Sequence, residues 1–169
     1  MKKRALLGFL FLATLGVVVS SCSDSDDVDN EKPVISNFDP EEGEELQIGG
    51  KIHFEVDFTD NEKLASYKID IHHNFDNHGE HKAAVEDAAD SIKFSYTNTW
   101  TLEGLKNSHV HHHEIEIPES QVVDGVKKFI RPGKYHFVVY CMDAAGNQSV
   151  LSHNVILSKN ATPHDHDED

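Results

Sequence analysis

The residues in this sequence most able to do chemistry are its histidines, 13 in a chain of 169, and they cluster. His72, His73, His78 and His81 fall within ten residues, and His109, His111, His112 and His113 within five. His164 and His166 alternate with Asp165 and Asp167 near the last residue given. Neutral imidazole is the commonest side-chain metal ligand, and zinc takes three or four N, S or O donors at about 2.0–2.2 Å for nitrogen and oxygen. Cys22 and Cys141 make no thiol pair of metal-binding spacing. A site would therefore combine imidazole with carboxylate, a donor set that suits Zn²⁺, Cu²⁺ or Ni²⁺.

Spacing narrows the choice. On a strand, residues i and i+2 share a face at about 6.5–7 Å, so His111 and His113 point the same way, in parity with Ile115 and Ile117. That pattern predicts an apolar face running into a polar end at the rim of the fold. His78-Gly79-Glu80-His81 sets two imidazoles three apart, which permits chelation in one turn, and His73, in parity with Ile69 and Ile71, precedes that loop. The candidate site is therefore His73, His78, His81, His111 and His113, with Asp76 as a reserve ligand and zinc as the first metal expected. It requires the two segments to meet; otherwise they are solvated loops. His53, His136 and His153 stand alone and read as surface or sheet-face residues, and the His164–Asp169 run as a disordered tail that scavenges metal weakly.

Calcium ranks behind the transition metals. Asp57, Asp60, Asn61 and Glu62 at one turn, and Asp143 with Asn147 at another, are suitable oxygen donors. The EF-hand pattern is absent, and Asx residues at hairpin turns account for the same positions. A pH sensor is a further reading of so much histidine. Enzyme signatures are missing: no His-Glu-x-x-His, no Gly-x-Ser-x-Gly and no phosphate-cradling glycine loop. His78-Gly79-Glu80 lacks the Pro-Cys-x-x-Cys partner of zinc deaminases. Catalysis is not expected.

Charge excludes other partners. The chain carries 30 acidic and 15 basic residues, a net −15; without Lys2, Lys3 and Arg4 the balance is 30 against 12, or −18. Nucleic acid and anionic lipid faces both require Lys/Arg patches, so neither fits. At 38% hydrophobic and 8% aromatic, the composition supports one modest core.

Residues 1–21 read as an export signal. Lys2, Lys3 and Arg4 form a basic start, and Ala5 to Val19 an apolar run that is short of the roughly 20 residues a membrane span needs. Val19-Ser20-Ser21-Cys22 resembles the lipobox of bacterial lipoproteins, which implies acylation of Cys22 and a stable lipid anchor. Cys141 would then be alone, within the apolar run Tyr135–Met142, as a buried, inert thiol. Residues 22–31 are almost purely acidic and read as a solvated tether. The acidic cluster directly after the cysteine is similar to the signal that sends Bacteroidota lipoproteins to the outer face of the outer membrane.

The elements that must position the histidines are strands. Lys51–Phe58 alternates, with Ile52, Phe54, Val56 and Phe58 on one face and Lys51, His53, Glu55 and Asp57 on the other. Leu64–His73, Ser91–Trp100, His109–Ile117, Lys134–Met142, Ser149–Leu157 and Val34–Phe38 are the other candidates. Gly49-Gly50, Asp124-Gly125, Arg131-Pro132-Gly133 and Ala145-Gly146-Asn147 supply turn chemistry between them. Only Glu80–Asp90 has helical character. About seven short alternating strands over residues 32–158 predict an all-β, immunoglobulin-like antiparallel β-sandwich with a His-rich loop, followed by the tail at 159–169.

The Lys32-Pro33-Val34-Ile35 opening, the stretch from Phe58 to His72, and Gly133-Lys134-Tyr135-His136-Phe137 followed by Asp143-Ala144-Ala145-Gly146-Asn147 carry a resemblance. They are similar to Bacteroidota Ig-like lipoproteins of the domain of unknown function 4625 family, over most of residues 32–158. The resemblance implies an Ig-like envelope lipoprotein and supplies no activity or ligand residues. Two functions follow as expectations. The first is a lipid-anchored, outer-membrane, surface-facing protein that captures or buffers a metal ion, or delivers it to an uptake receptor. The alternative is an Ig-like interaction module recognising a glycan or partner protein, with Trp100, Tyr96, Phe75 and Tyr140 as candidate aromatic platforms.

Overall fold

A computed structural model of the protein describes residues 28–75 and 90–162. Cys22, the acidic residues before Val28, Asp76, His78, His81 and the His164–Asp169 run lie outside them, as does the Glu80–Asp90 segment except Asp90 itself, a turn residue. No helix among the described residues is long and apolar enough to cross a membrane.

The alternating segments become strands. β1 (Val34–Asp39), β3 (Phe54–Thr59) and β7 (Asn107–His112) form one sheet in the order β1-β3-β7. β2 (Glu45–Gln47), β11 (Gln148–Ser158), β10 (Gly133–Asp143), β4 (Leu64–His73) and β6 (Tyr96–Thr101) form the second, in that order. A small third sheet joins β5 (Ser91–Ile92), β9 (Val126–Ile130) and β8 (Ser120–Val123). The β-sandwich expected from the sequence is the fold observed. It carries more strands than expected: β2 is new, Ser91–Trp100 divides into β5 and β6, and Asp124-Gly125 turns a short β8–β9 hairpin. The pairings are antiparallel apart from β2 with β11 and β5 with β9.

The core lies between the two larger sheets. Phe54, Val56 and Phe58 of β3 are all sealed from solvent, as are Ile69 and Ile71 of β4 and Phe137, Val139 and Cys141 of β10. Phe54 stacks on Tyr67 at 6.0 Å and on Phe137 at 5.9 Å, and Tyr67 meets Phe58 at 5.2 Å, so aromatic contacts bridge the sheets. Each such side chain contributes about 1.5–3 kcal/mol through burial. Cys141 is buried among them. Burial first, then the charges of Asp60 and Asp143, push its thiol up to about 12, so it stays protonated and inert.

Candidate metal centre

Strand β3 alternates strictly, so Glu55 and Asp57 face outward while Phe54, Val56 and Phe58 face the core. Antiparallel pairing with β7 sets Glu55 opposite His111 and Asp57 opposite His109, whereas Phe54 opposes His112. The outer face of this sheet therefore collects carboxylates and imidazoles in register. Past the end of β7 the ladder slips. Lys51 bridges Glu116 and the Ile52 amide donates to the Ile115 carbonyl at 2.8 Å. Between this point and the Phe54–His112 pair, three residues (His113, Glu114, Ile115) oppose two (Ile52, His53). That is a one-residue bulge, a device that re-aims side chains at the end of a ladder.

The bulge overturns the parity read from the sequence. Ile115 and Ile117 are sealed in the core, yet His111 and His113 are exposed, and His112 is the one that faces inward. It also turns His113 toward His53, which lies just before β3. One ligand atom from each of His53, His111 and His113 lies within 4.8 Å of the others. His53 Nδ1 and His113 Nε2 are 3.1 Å apart, close to the ~3.3 Å separation of two nitrogens bound to a tetrahedral zinc. The ring centroids stand 4.8 Å apart for His53–His111, 5.0 Å for His53–His113 and 5.2 Å for His111–His113. His53 is the anchor, with its imidazole only 10% exposed, and its Nε2 faces Glu55 Oε2 at 3.5 Å. A carboxylate behind the non-ligating nitrogen fixes tautomer and ring orientation in metal sites. His53 Nδ1 thus points to the cluster and Nε2 to Glu55. A cleft of about 110 Å³ beside the cluster is lined by His53, His113, Lys51, Gln47 and Thr162 among others.

Of the residues singled out in the sequence, His111 and His113 come together here. His73 does not join them. It ends β4 on the other sheet, in register with Tyr135, on the core-facing parity of Ile69 and Ile71, and stacks on Phe75 at 5.6 Å. An inner-face residue of one sheet cannot meet the outer face of the other. His78, His81 and Asp76 lie outside the described residues. The third member is His53, which stands alone in the sequence and reads there as a surface or sheet-face residue. Its outward parity with Glu55 and Asp57 was the available signal, but only the pairing of β3 with β7 gives that parity meaning.

Other histidines outside the cluster have their own partners. His109 Nδ1 approaches Asp57 Oδ1 at 2.8 Å, and Asn37 Nδ2 donates to Asp57 Oδ2 at 2.6 Å. The Asn37 hydrogen bond first, then His109, holds the Asp57 carboxyl below its usual value. On the outer face of the larger sheet, His72 Nδ1 lies 2.6 Å from Asp70 Oδ1, and its Nε2 3.4 Å from His136 Nδ1. His153 Nδ1 donates to the Pro40 carbonyl at 2.8 Å and stacks on Phe38.

His112 packs between Phe54 and Trp100, with ring centroids at 4.9 and 5.3 Å. Its Nε2 is shut off from solvent and has no hydrogen-bond partner among the described residues. Burial lowers its pKa; the nearby Glu114 opposes this, and His111 and His113 reinforce it. A histidine whose pKa is depressed on folding stabilises the protein above its unfolded pKa, and that contribution is lost as pH falls toward the folded value. The expected result is a melting temperature that declines as pH is lowered through about 6.5. His112→Leu should make the profile flatter, as read by thermal melts across pH.

Comparisons with known proteins place the chain. None of the curated proteins matches it. Among solved structures it is similar to the β-glucosidase from Listeria innocua in complex with isofagomine, at 14% identity over 75% of this chain and with a TM-score of 0.40. A mutant of that β-glucosidase in complex with laminaribiose gives 15% identity over 73% of this chain and a TM-score of 0.39. The chain spans only 16% of the length of each. The model of the domain of unknown function DUF4625 matches residues 20–158, and the chain belongs to that family.

Proposed function

We propose that this protein is a non-enzymatic, lipid-anchored envelope protein that binds a transition metal, zinc first, through His53, His111 and His113. The observation that carries the reading is the convergence of three imidazoles to within 4.8 Å on one sheet face, with Glu55 behind the most buried of them. Three protein ligands leave a coordination position open, the arrangement of an exchangeable site rather than a closed structural one. Copper and nickel suit the same donors. An open site on a solvent-facing surface fits capture, buffering or hand-over of metal to an uptake receptor. The lipobox-like sequence ending at Cys22 and the acidic tether support an outer-membrane anchor with the domain facing outward.

The test is zinc titration calorimetry with elemental analysis on the full chain in detergent. His164→Ala and His166→Ala form the background, because Thr162 lines the cleft beside His53 and His113 and two further residues reach about 7 Å. One zinc per chain is expected, released on acidification as the imidazoles protonate. His53→Ala with His113→Ala should abolish that stoichiometry. Glu55→Gln should weaken binding about 10–100-fold, the usual cost of losing an outer-shell partner. Unchanged zinc content in the double variant would remove these ligands from any site.

A further inference from the structure

A second group of metal-ligating side chains has no imidazole in it. Asp29, Asp60 and Asp143 each offer a carboxylate oxygen, all within 4.8 Å of one another. Asp29 lies where the chain enters the domain, Asp60 in the turn between β3 and β4, and Asp143 at the end of β10. Asp143 is only 2% exposed. Its Oδ1 accepts from the Asn147 amide and its Oδ2 from Asn147 Nδ2, both at 2.7 Å. Burial pushes this carboxyl up, but those bonds and the amides of Ala145 and Gly146 leave it lower than usual, so it stays ionised.

Asp60 supplies the observation that points to a ligand. Its Oδ1 accepts from the Glu62 amide at 2.9 Å and the Lys63 amide at 2.6 Å. Its Oδ2 is shut off from solvent and has no hydrogen-bond partner among the described residues. A solvent-excluded carboxylate oxygen without a donor is costly, and buried charges are ordinarily paired or bound to metal. Among the described residues no Lys, Arg or His forms an ion pair with Asp29, Asp60 or Asp143. Three carboxylates therefore face one another without an ion pair among the described residues, the nearby Lys106 Nζ being engaged by the Asn61 carbonyl of the same turn. Asn61 Nδ2 donates to Asp29 Oδ1 at 3.0 Å and Asn147 Nδ2 to the Asp29 carbonyl at 3.1 Å, which holds Asp29 against both turns.

We propose that Asp29, Asp60 and Asp143 bind a calcium ion that fastens the segment entering the domain to the β3–β4 and β10–β11 turns. An all-oxygen, triply anionic donor set suits a hard cation. Calcium takes 6–8 oxygens in flexible geometry, with waters and backbone carbonyls completing the shell, whereas magnesium demands near-ideal octahedra and keeps its water. This site shares no residue with the imidazole cluster and stands or falls separately from it.

Thermal melts of the full chain in detergent, with calcium, magnesium or chelator, test the proposal. Extracellular calcium modules bind at about 10⁻⁴–10⁻³ M, so 10 mM calcium should raise the melting temperature by roughly 4–14 °C. Asp60→Asn keeps an oxygen for the Glu62 and Lys63 amides but replaces the orphaned oxygen with an amide. It should abolish the calcium shift while melting no lower than the parent in chelator, because it removes a repulsion. Asp29→Asn, where the chain enters, is the second variant and should lose most of the shift. His53→Ala with His113→Ala should retain all of it. No rise with calcium overturns the proposal, as does a rise that survives both aspartate substitutions. An equal rise with magnesium overturns the assignment to calcium. Should Asp60→Asn fail to fold, Asp29→Asn decides.

Discussion

Phe54→Ala is expected to lower the unfolding free energy by about 3–5 kcal/mol, the usual cost of deleting a large buried aromatic ring. Phe54 is fully buried and stacks on both Tyr67 and Phe137, so its ring joins β3 to β4 and β10. It also touches Phe38 edge-on at 6.2 Å and supports His112 from beneath. Four rings lose a partner at once, and they come from both larger sheets. Such a cavity cannot close by moving one neighbour, which places the cost toward the upper end of the range. At roughly 3–5 °C per kcal/mol for a domain of this size, the melting temperature should fall by about 10–20 °C. Denaturant titration with an unchanged slope would confirm lost stability rather than altered compactness.

The second large effect concerns Tyr135, and a pair of substitutions separates its two contributions. The ring is fully buried near the start of β10. Its hydroxyl donates to the Arg131 carbonyl at 2.8 Å and accepts from the Phe94 amide at 3.2 Å. A tyrosine bonded back to the chain four residues upstream closes a corner of the kind immunoglobulin-like sandwiches use. Burial raises the phenol pKa, the Phe94 amide and Arg131 oppose that, and the hydroxyl stays protonated as a donor. Tyr135→Phe keeps the packing but strands a buried amide and carbonyl, for a cost of about 1–3 kcal/mol. Tyr135→Ala removes the ring as well and should cost at least 3–5 kcal/mol. If Tyr135→Phe melted like the parent, the corner would be a bystander to stability.

Strands with two clean faces were legible in the sequence. Leu64–His73 was read with the bounds the structure gives, because Tyr67, Ile69 and Ile71 alternate with Lys68, Asp70 and His72. β2 escaped notice because it is three residues long and pairs in parallel with β11, more than a hundred positions away. The β8–β9 hairpin was visible only as its Asp124-Gly125 turn. Val122, Val126 and Phe129 are all exposed and Ile130 alone is buried, so no alternating buried face marks these strands. The candidate site was half legible. His111 and His113 stood out by type and spacing, but a bulge inverts their relation to Ile115, and alternation cannot register one extra residue. His53 depends on a pairing between strands separated by β4, β5 and β6, which no local pattern encodes. For the acidic group the sequence offered Asp60 and Asp143 at two turns, and left out Asp29, which it assigned to the tether.

Strand β3 carries a further consequence. His53 immediately precedes it and Asp60 immediately follows it, so the imidazole and carboxylate groups lie at opposite ends, or poles, of that strand. At about 3.3 Å per residue, some 20 Å of extended chain separates them. The described chain begins at the carboxylate pole, beside Asp29, and its last described residue, Thr162, lies beside the imidazole pole. In the lipid-anchored form proposed above, the carboxylate pole is proximal, and a cation there would stiffen the joint between tether and domain. The imidazole pole would then be distal and open to the medium. The domain would then act as an oriented arm, with a hinge lock at its base and a sampling tip held clear of the bilayer.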